Sequence, residues 1–126
     1  MRHGNGYRKL GRECSHRRAL LRNLTTSVLE HGRVKTTVPK AKEVKRLVDR
    51  MVTLGKKGDL HSRRLMEAYL YKSEVCKKVV TDVAGRMSER NGGYTRIIRL
   101  GARFGDGAEM CHLELVDFLE NEGKQG

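Results

Sequence analysis

The chain has no tryptophan, one proline and only three cysteines in 126 residues, and aromatics make up 5% of it. An odd number of cysteines without a CxxC pair argues against both a disulfide framework and a zinc ribbon. Cys14, Cys76 and Cys111 are therefore expected as reduced thiols. The pairs Cys14 with His16 and Cys111 with His112 match no zinc spacing. No apolar run approaches the ~20 residues that a membrane-spanning helix needs. The charged opening lacks the apolar h-region of a secretory signal, and its glycines break the amphipathic pattern of a transit peptide. P-loop, GxGxxG, HExxH and GxSxG motifs are all missing, so the commonest catalytic chemistries lack their signatures. No cofactor, metal, membrane or small-molecule substrate is expected, and the chain does not read as an enzyme.

Acids are also scarce. Fifteen Asp and Glu stand against 27 Lys and Arg, a formal net charge of +12. Such an excess favours a polyanionic partner, either nucleic acid or an anionic surface. With 37% hydrophobic and 33% charged residues, the chain has material for one domain with a modest core and a heavily charged exterior.

The charge is unevenly placed. Residues 1–22 carry Arg2, Arg8, Lys9, Arg12, Arg17, Arg18 and Arg22 against Glu13 alone. Gly4, Gly6 and Gly11 interrupt this stretch, and residues 1–14 show no apolar period, so an extended basic arm is expected there. Tyr7 beside Arg8 and Lys9 adds a stacking surface to phosphate-seeking charge, which suits RNA. A merely solubilising tail is the plainer alternative.

A single domain is expected over residues 15–116, with a polar tail at 117–126. Ser15 is placed to cap a first helix. Leu20, Leu21, Leu24, Val28 and Leu29 would form its apolar stripe, with Arg17, Arg18 and Arg22 mostly off it and Gly32 as its stop. Arg33–Val38 alternates as a short strand. Pro39 suits the first turn of a second helix running to about Leu54, whose buried stripe is Ala41, Val44, Leu47, Val48, Met51 and Val52. Its basic flank, with Lys40, Lys42, Lys45 and Arg46, reads equally as a contact surface and as a solvated face. Gly55–Gly58 is expected as a turn. Asp59 would cap a third helix with Leu65, Ala68 and Tyr69 inward. Ser73 would cap a fourth, with Val75, Cys76, Val79, Val80 and Val83 inward and Gly85 ending it.

The stretch Arg90-Asn91-Gly92-Gly93-Tyr94-Thr95-Arg96-Ile97-Ile98-Arg99-Leu100-Gly101 combines a permissive Asn-Gly-Gly opening with β-formers and three arginines. It reads as a strand that packs on a core and meets an anion, or as an edge strand guarded by arginines. Arg103 and Phe104 would sit at the tip of a hairpin loop. The last strand should place Cys111, Leu113 and Leu115 on one face and Met110, His112 and Glu114 on the other. The fold class is α+β in two layers, element order α-β-α-α-α-β-β, with helices on a small sheet and a C-terminal antiparallel hairpin.

Several of these segments together resemble a known family. They include Met1-Arg2-His3, Arg8–Arg12, Ser15–Leu24, Glu30–Thr37, Lys40–Glu43, Leu54–Arg64, Arg90–Ile97 and Glu114–Val116. The ordered set is similar to bacterial large-subunit ribosomal protein seventeen, and the likeness covers nearly the whole chain up to Val116. Departures are Gly85 where that family usually has Pro, Met87 where it has Tyr, and Ala108-Glu109-Met110 where it often has Ala-Pro-Met.

The resemblance implies a structural component of the large ribosomal subunit that binds its rRNA near the outer end of the peptide exit tunnel. Its partners would be that RNA and neighbouring large-subunit proteins, in the cytoplasmic ribosome of a bacterium or an organellar one. The candidate RNA-binding residues are Arg2, His3, Tyr7, Arg8, Lys9, Arg12, His16, Arg17, Arg18, Arg22, Lys40, Arg90, Asn91, Tyr94, Arg96, Arg99, Arg103 and Phe104. Two rivals are a DNA-binding architectural or regulatory module and an RNA-processing enzyme drawing on one of the five histidines.

Overall fold

Residues 14–117 are described by a computed structural model, and its order of elements is the α+β order expected. Helix α1 (Cys14–His31) turns Leu21, Val28 and Leu29 inward and stops at Gly32, whose N–H reaches the Val28 carbonyl at 2.7 Å. Thr25 and Thr26, also buried, satisfy their hydroxyls on the carbonyls of Leu21 and Arg22, at 2.7 and 2.8 Å. This back-bonding lets a β-branched polar residue occupy a helix interior. Ser15 lies within the helix instead of capping it.

Strand β1 (Arg33–Thr37) leads directly into α2 (Val38–Lys57), with Pro39 in the first turn, where a missing N–H costs little. α2 is the central helix and packs against α1, against α3 (Leu60–Tyr69) and against all three strands. It is longer than expected. The Gly55–Gly58 turn is only a C-cap: the helix continues through Gly55, and Gly58 alone takes the left-handed conformation, φ 64°, donating to Leu54 O at 3.2 Å. Gly55 is buried because another helix lies against it. A Cβ there would stand 2.6 Å from Val79 Cγ1.

Asp59 caps α3, its Oδ1 accepting from Ser62 N at 2.8 Å. The inward residues of α3 are Ser62 and Met66. Leu65 and Ala68, expected inward, are exposed, and Tyr69 is half-buried. The inward face is thus centred on Ser62, Met66 and, just past the helix, Leu70, about one residue on from the expected phase. Ser73 is the first residue of α4 (Ser73–Lys78), not its cap. The chain does not stop at Gly85: α4 runs through a π-helical turn, Val79–Val83, into a last helical turn, α5 (Ala84–Arg86). Val75, Cys76, Val79 and Val83 face inward, as their spacing demands.

Strands β2 (Thr95–Ala102) and β3 (Glu109–Leu115) form the C-terminal hairpin. The antiparallel sheet has the order β1-β3-β2, so the last strand in sequence is the central one. Cys111, Leu113 and Leu115 lie against the helices. A bulge between Arg99 and Gly101, with Gly101 at φ 100°, bends the hairpin beyond the core.

Gly55→Ala tests the packing of α2. In an open helix the change would gain up to ~1 kcal/mol. Here the new methyl meets a buried, χ1-restricted valine, so a net loss of about 1–3 kcal/mol and a lower Tm are expected in thermal melts.

Candidate nucleic-acid interface

Two groups of cations face solvent, and different elements build them. The first lies where α1 crosses α2 and the end of α3. A cleft of about 680 Å³ opens there, lined by Arg17, Arg18, Leu21, Arg22, Glu43, Arg46, Leu47, Arg50, Ala68 and Tyr69. Arg17 sits one helical turn before Leu21 and is buried at 6% exposure, so it belongs to the inward face of α1 and not to its outer flank. Glu43 is buried too and binds Arg46 at 2.6 Å. Arg18 and Arg50 are exposed and have no acidic partner among the described residues.

Arg22 has a structural duty. Its Nε donates to Tyr69 O at 2.7 Å and its Nη2 to Ala68 O at 3.1 Å, while its guanidinium lies 4.4 Å from the centre of the Tyr71 ring. It satisfies carbonyls at the C-terminus of α3 and ties that helix to α1, as a cation at a helix C-terminus should. Two of the five guanidinium N–H donors are thereby engaged. His16 is exposed on the first turn of α1, and Lys40 is half-exposed on the first turn of α2.

The second group belongs to the hairpin, and it differs in kind. Arg96, Arg99 and Arg103 each face an acid. Arg103 grips Asp106 with both arms of the fork, Nε to Oδ1 at 2.8 Å and Nη2 to Oδ2 at 2.6 Å. That grip holds the Asp106 carboxyl well below the ordinary range. Arg99 binds Glu109. Arg96 Nε donates to Glu114 Oε2 at 2.8 Å, and Arg33, on the other side of β3, donates through Nε to Oε1 at 2.8 Å. The three residues occupy one row across the sheet, Arg33–Glu114–Arg96. Burial by itself would raise the Glu114 carboxyl; hydrogen bonds and charge from Arg96 and Arg33 outweigh it and leave the group below its ordinary value. Two positions along β3, His112 is pushed down by burial and by the charges of Arg33 and Lys35.

Phe104 stands fully exposed at the hairpin tip. Tyr94 does the opposite: it is 2% exposed, and its ring packs in the core under Lys56, whose Nζ lies 5.2 Å from the ring centre. The Tyr94 backbone is held as well. Asp49 Oδ1 accepts from Tyr94 N at 3.1 Å, and Lys45 Nζ donates to Thr95 O at 2.6 Å. α2 thus fixes the point where the Asn91–Gly93 turn enters β2, and it leaves Arg90 and Asn91 exposed. Arg2, His3, Tyr7, Arg8, Lys9 and Arg12 lie outside the described residues.

Sequence reasoning missed Arg50 and undervalued Arg46. Both follow the cation-rich flank of α2 at helical spacing, so periodicity of basic residues, read as apolar periodicity was, would have found them. It also missed Glu114 as the partner of two arginines.

The fold and its surface define a small basic α+β protein with an arginine-lined cleft. Among the described residues no His, Cys, Asp and Glu cluster could hold a metal, and no helix is long and apolar enough to cross a membrane. The family described as Ribosomal protein L17 matches residues 20–116. Relatives named Large ribosomal subunit protein bL17 are similar over most of both chains. That of Clostridium acetobutylicum is 55% identical over 112 residues, 89% of this chain and 98% of the relative. That of Clostridioides difficile is 54% identical, covering 87% and 97%; that of Finegoldia magna is 51% identical, covering 94% and 90%. The chain belongs to the ribosomal protein L17 family, whose members are structural proteins and not enzymes.

Glu114→Gln should destabilise the fold by about 2–4 kcal/mol, because two arginines lose a buried counter-charge. The folded carboxyl is depressed, so its contribution is present above the ordinary value of 4.5 and is lost as pH falls through the lower folded value. Urea melts across the acid limb should therefore show a steeper loss for the wild type than for the Gln variant. Parallel slopes would remove Glu114 from that role.

Proposed function

We propose that the chain is a structural constituent of the large ribosomal subunit in the bacterial cytoplasm, where it binds rRNA through its basic arm, the α1–α2 side and the hairpin. One observation carries this reading: relatives named for that subunit match over nearly their full length at 51–55% identity. The resemblance noted in the sequence adds a position near the outer end of the peptide exit tunnel and contacts with neighbouring large-subunit proteins.

The chemistry is compatible. RNA is recognised mainly through shape, phosphates and unstacked bases. Arg2, Arg8, Lys9, Arg12, Arg18, Arg22 and Arg50 would neutralise phosphates, while the buried Arg17 stays on the inward face of α1. The hairpin contributes differently from the arm, since its arginines already have acids beside them. It would position Phe104 and the exposed Arg90–Asn91 turn against the RNA surface and would add little net charge. A DNA-binding module would instead prefer duplex DNA over folded large-subunit RNA in competition. An RNA-processing enzyme would show turnover that disappears with one histidine.

The direct test is co-sedimentation of the pure chain with intact large subunits at high salt, where retention is expected. For rRNA binding in solution, about seven phosphate contacts give a slope of log affinity against log salt near −5 to −6, at roughly 0.7–0.9 per contact. Deleting residues 1–12 removes Arg2, Arg8, Lys9 and Arg12. It should flatten the slope by about 3 while residues 14–117 still melt cooperatively. A slope unchanged by the deletion removes the arm from the binding surface.

A further inference from the structure

We propose that the cleft between α1, α2 and the end of α3 seats one unstacked nucleotide of single-stranded RNA, its phosphate at the arginine-lined end and its base over the apolar end. This deepens the RNA-binding reading and rests on it. The size fits: about 680 Å³ lies within the ~300–1,000 Å³ typical of small-molecule sites. A second hollow of about 210 Å³ continues it along α3, sharing Leu47, Arg50, Ala68 and Tyr69 and adding Met51, Leu54 and Leu65. One end is therefore cationic and the other apolar, the division that a nucleotide itself carries.

Charge selects the ligand class. Five arginines and a single acid line the larger hollow, and that acid, Glu43, already binds Arg46. The exposed guanidinium groups of Arg18 and Arg50 stand at the rim with no acid against them among the described residues. Guanidinium groups bind phosphate through a planar fork and stack on flat rings. Leu65 and Ala68, both exposed on α3, leave apolar surface beside those charges, which a base would cover and a bare phosphate would not. An A-form duplex keeps its bases stacked and offers chiefly phosphates and the shallow groove, so it cannot fill the apolar hollow. An acidic peptide supplies the charge without the flat face. Connectivity agrees: α1 starts at Cys14, so the basic leader joins the fold within one turn of Arg17 and Arg18.

The experiment uses the full chain and two fluorescent probes, hexauridylate and a short RNA duplex, titrated by anisotropy at one salt concentration. Ala68→Phe fills the hollow and keeps every charge. It should weaken hexauridylate binding about tenfold, the size of one lost base-stacking contact, and leave the duplex within about twofold. Arg50→Gln, at an exposed position, should show the same selectivity with an unchanged Tm, and Arg50→Lys should not restore hexauridylate binding. Equal losses on both probes would reduce the cleft to a patch of general charge and overturn the proposal, as would unchanged hexauridylate binding or stronger competition by an acidic peptide than by RNA. The two readings fail separately. A wild type retained on large subunits but indifferent to Ala68→Phe loses only the cleft. A wild type that binds no RNA loses both.

Discussion

Glu114 holds the sheet together from its central strand. A carboxylate 1% exposed is costly unless several donors meet it, and Arg33 and Arg96 do so from the two flanking strands. Without the acid, two guanidinium groups would stand in one row with only repulsion between them. With it, the row is locked. A slip of one residue in either pairing would move Glu114 out of the arginines' reach and turn a charge toward Leu113 and Leu115. Register, which the alternating pattern of β3 suggests, is thereby specified twice, by apolar residues on the helix side and by charge on the outer side.

The same device recurs elsewhere among the described residues. Glu43 binds Arg46, Glu30 binds Lys72 across α1 and α4, Glu109 binds Arg99, and Asp106 binds Arg103. Apart from the pair of the buried Glu43, these are exposed and add little stability. Their effect is on the map of charge. With 15 acids for 27 cations, every acid fixed beside an arginine removes that arginine from the long-range field, and the excess gathers where no acid was placed. Two such places are residues 1–12, which carry four Arg and Lys and no acid, and the rim of the α1–α2 cleft. The hairpin, which carries as many arginines as α1 does, is locally balanced.

Much of the fold was legible in the residues because its signals are local. The stripes of α1 and α2, the Asp59 cap, the stop at Gly32, and the inward Cys111, Leu113 and Leu115 all depend on spacing within one element. The errors arose where a neighbour decides. Gly55 reads as a turn residue until Val79 is found against it. Leu65 and Ala68 read as core until Met66 takes the volume. Tyr94 reads equally as a stacking group and as core until Lys56 and the core enclose it. The cleft was hidden for a related reason: Arg46 and Arg50 on α2 join Arg17 and Arg18 on α1 only after two helices pack.

Pre-organisation then separates the two parts of the basic surface. Arg22 is held by two carbonyls and a tyrosine ring, Arg17 is buried, and Arg46 is braced by Glu43. Side chains already fixed lose little rotamer entropy when a ligand arrives, so contacts made from this side convert more of their attraction into affinity. An anion that reaches the rim of the cleft therefore meets guanidinium groups whose neighbours are already in place, whereas the hairpin arginines would first have to leave the acids that hold them.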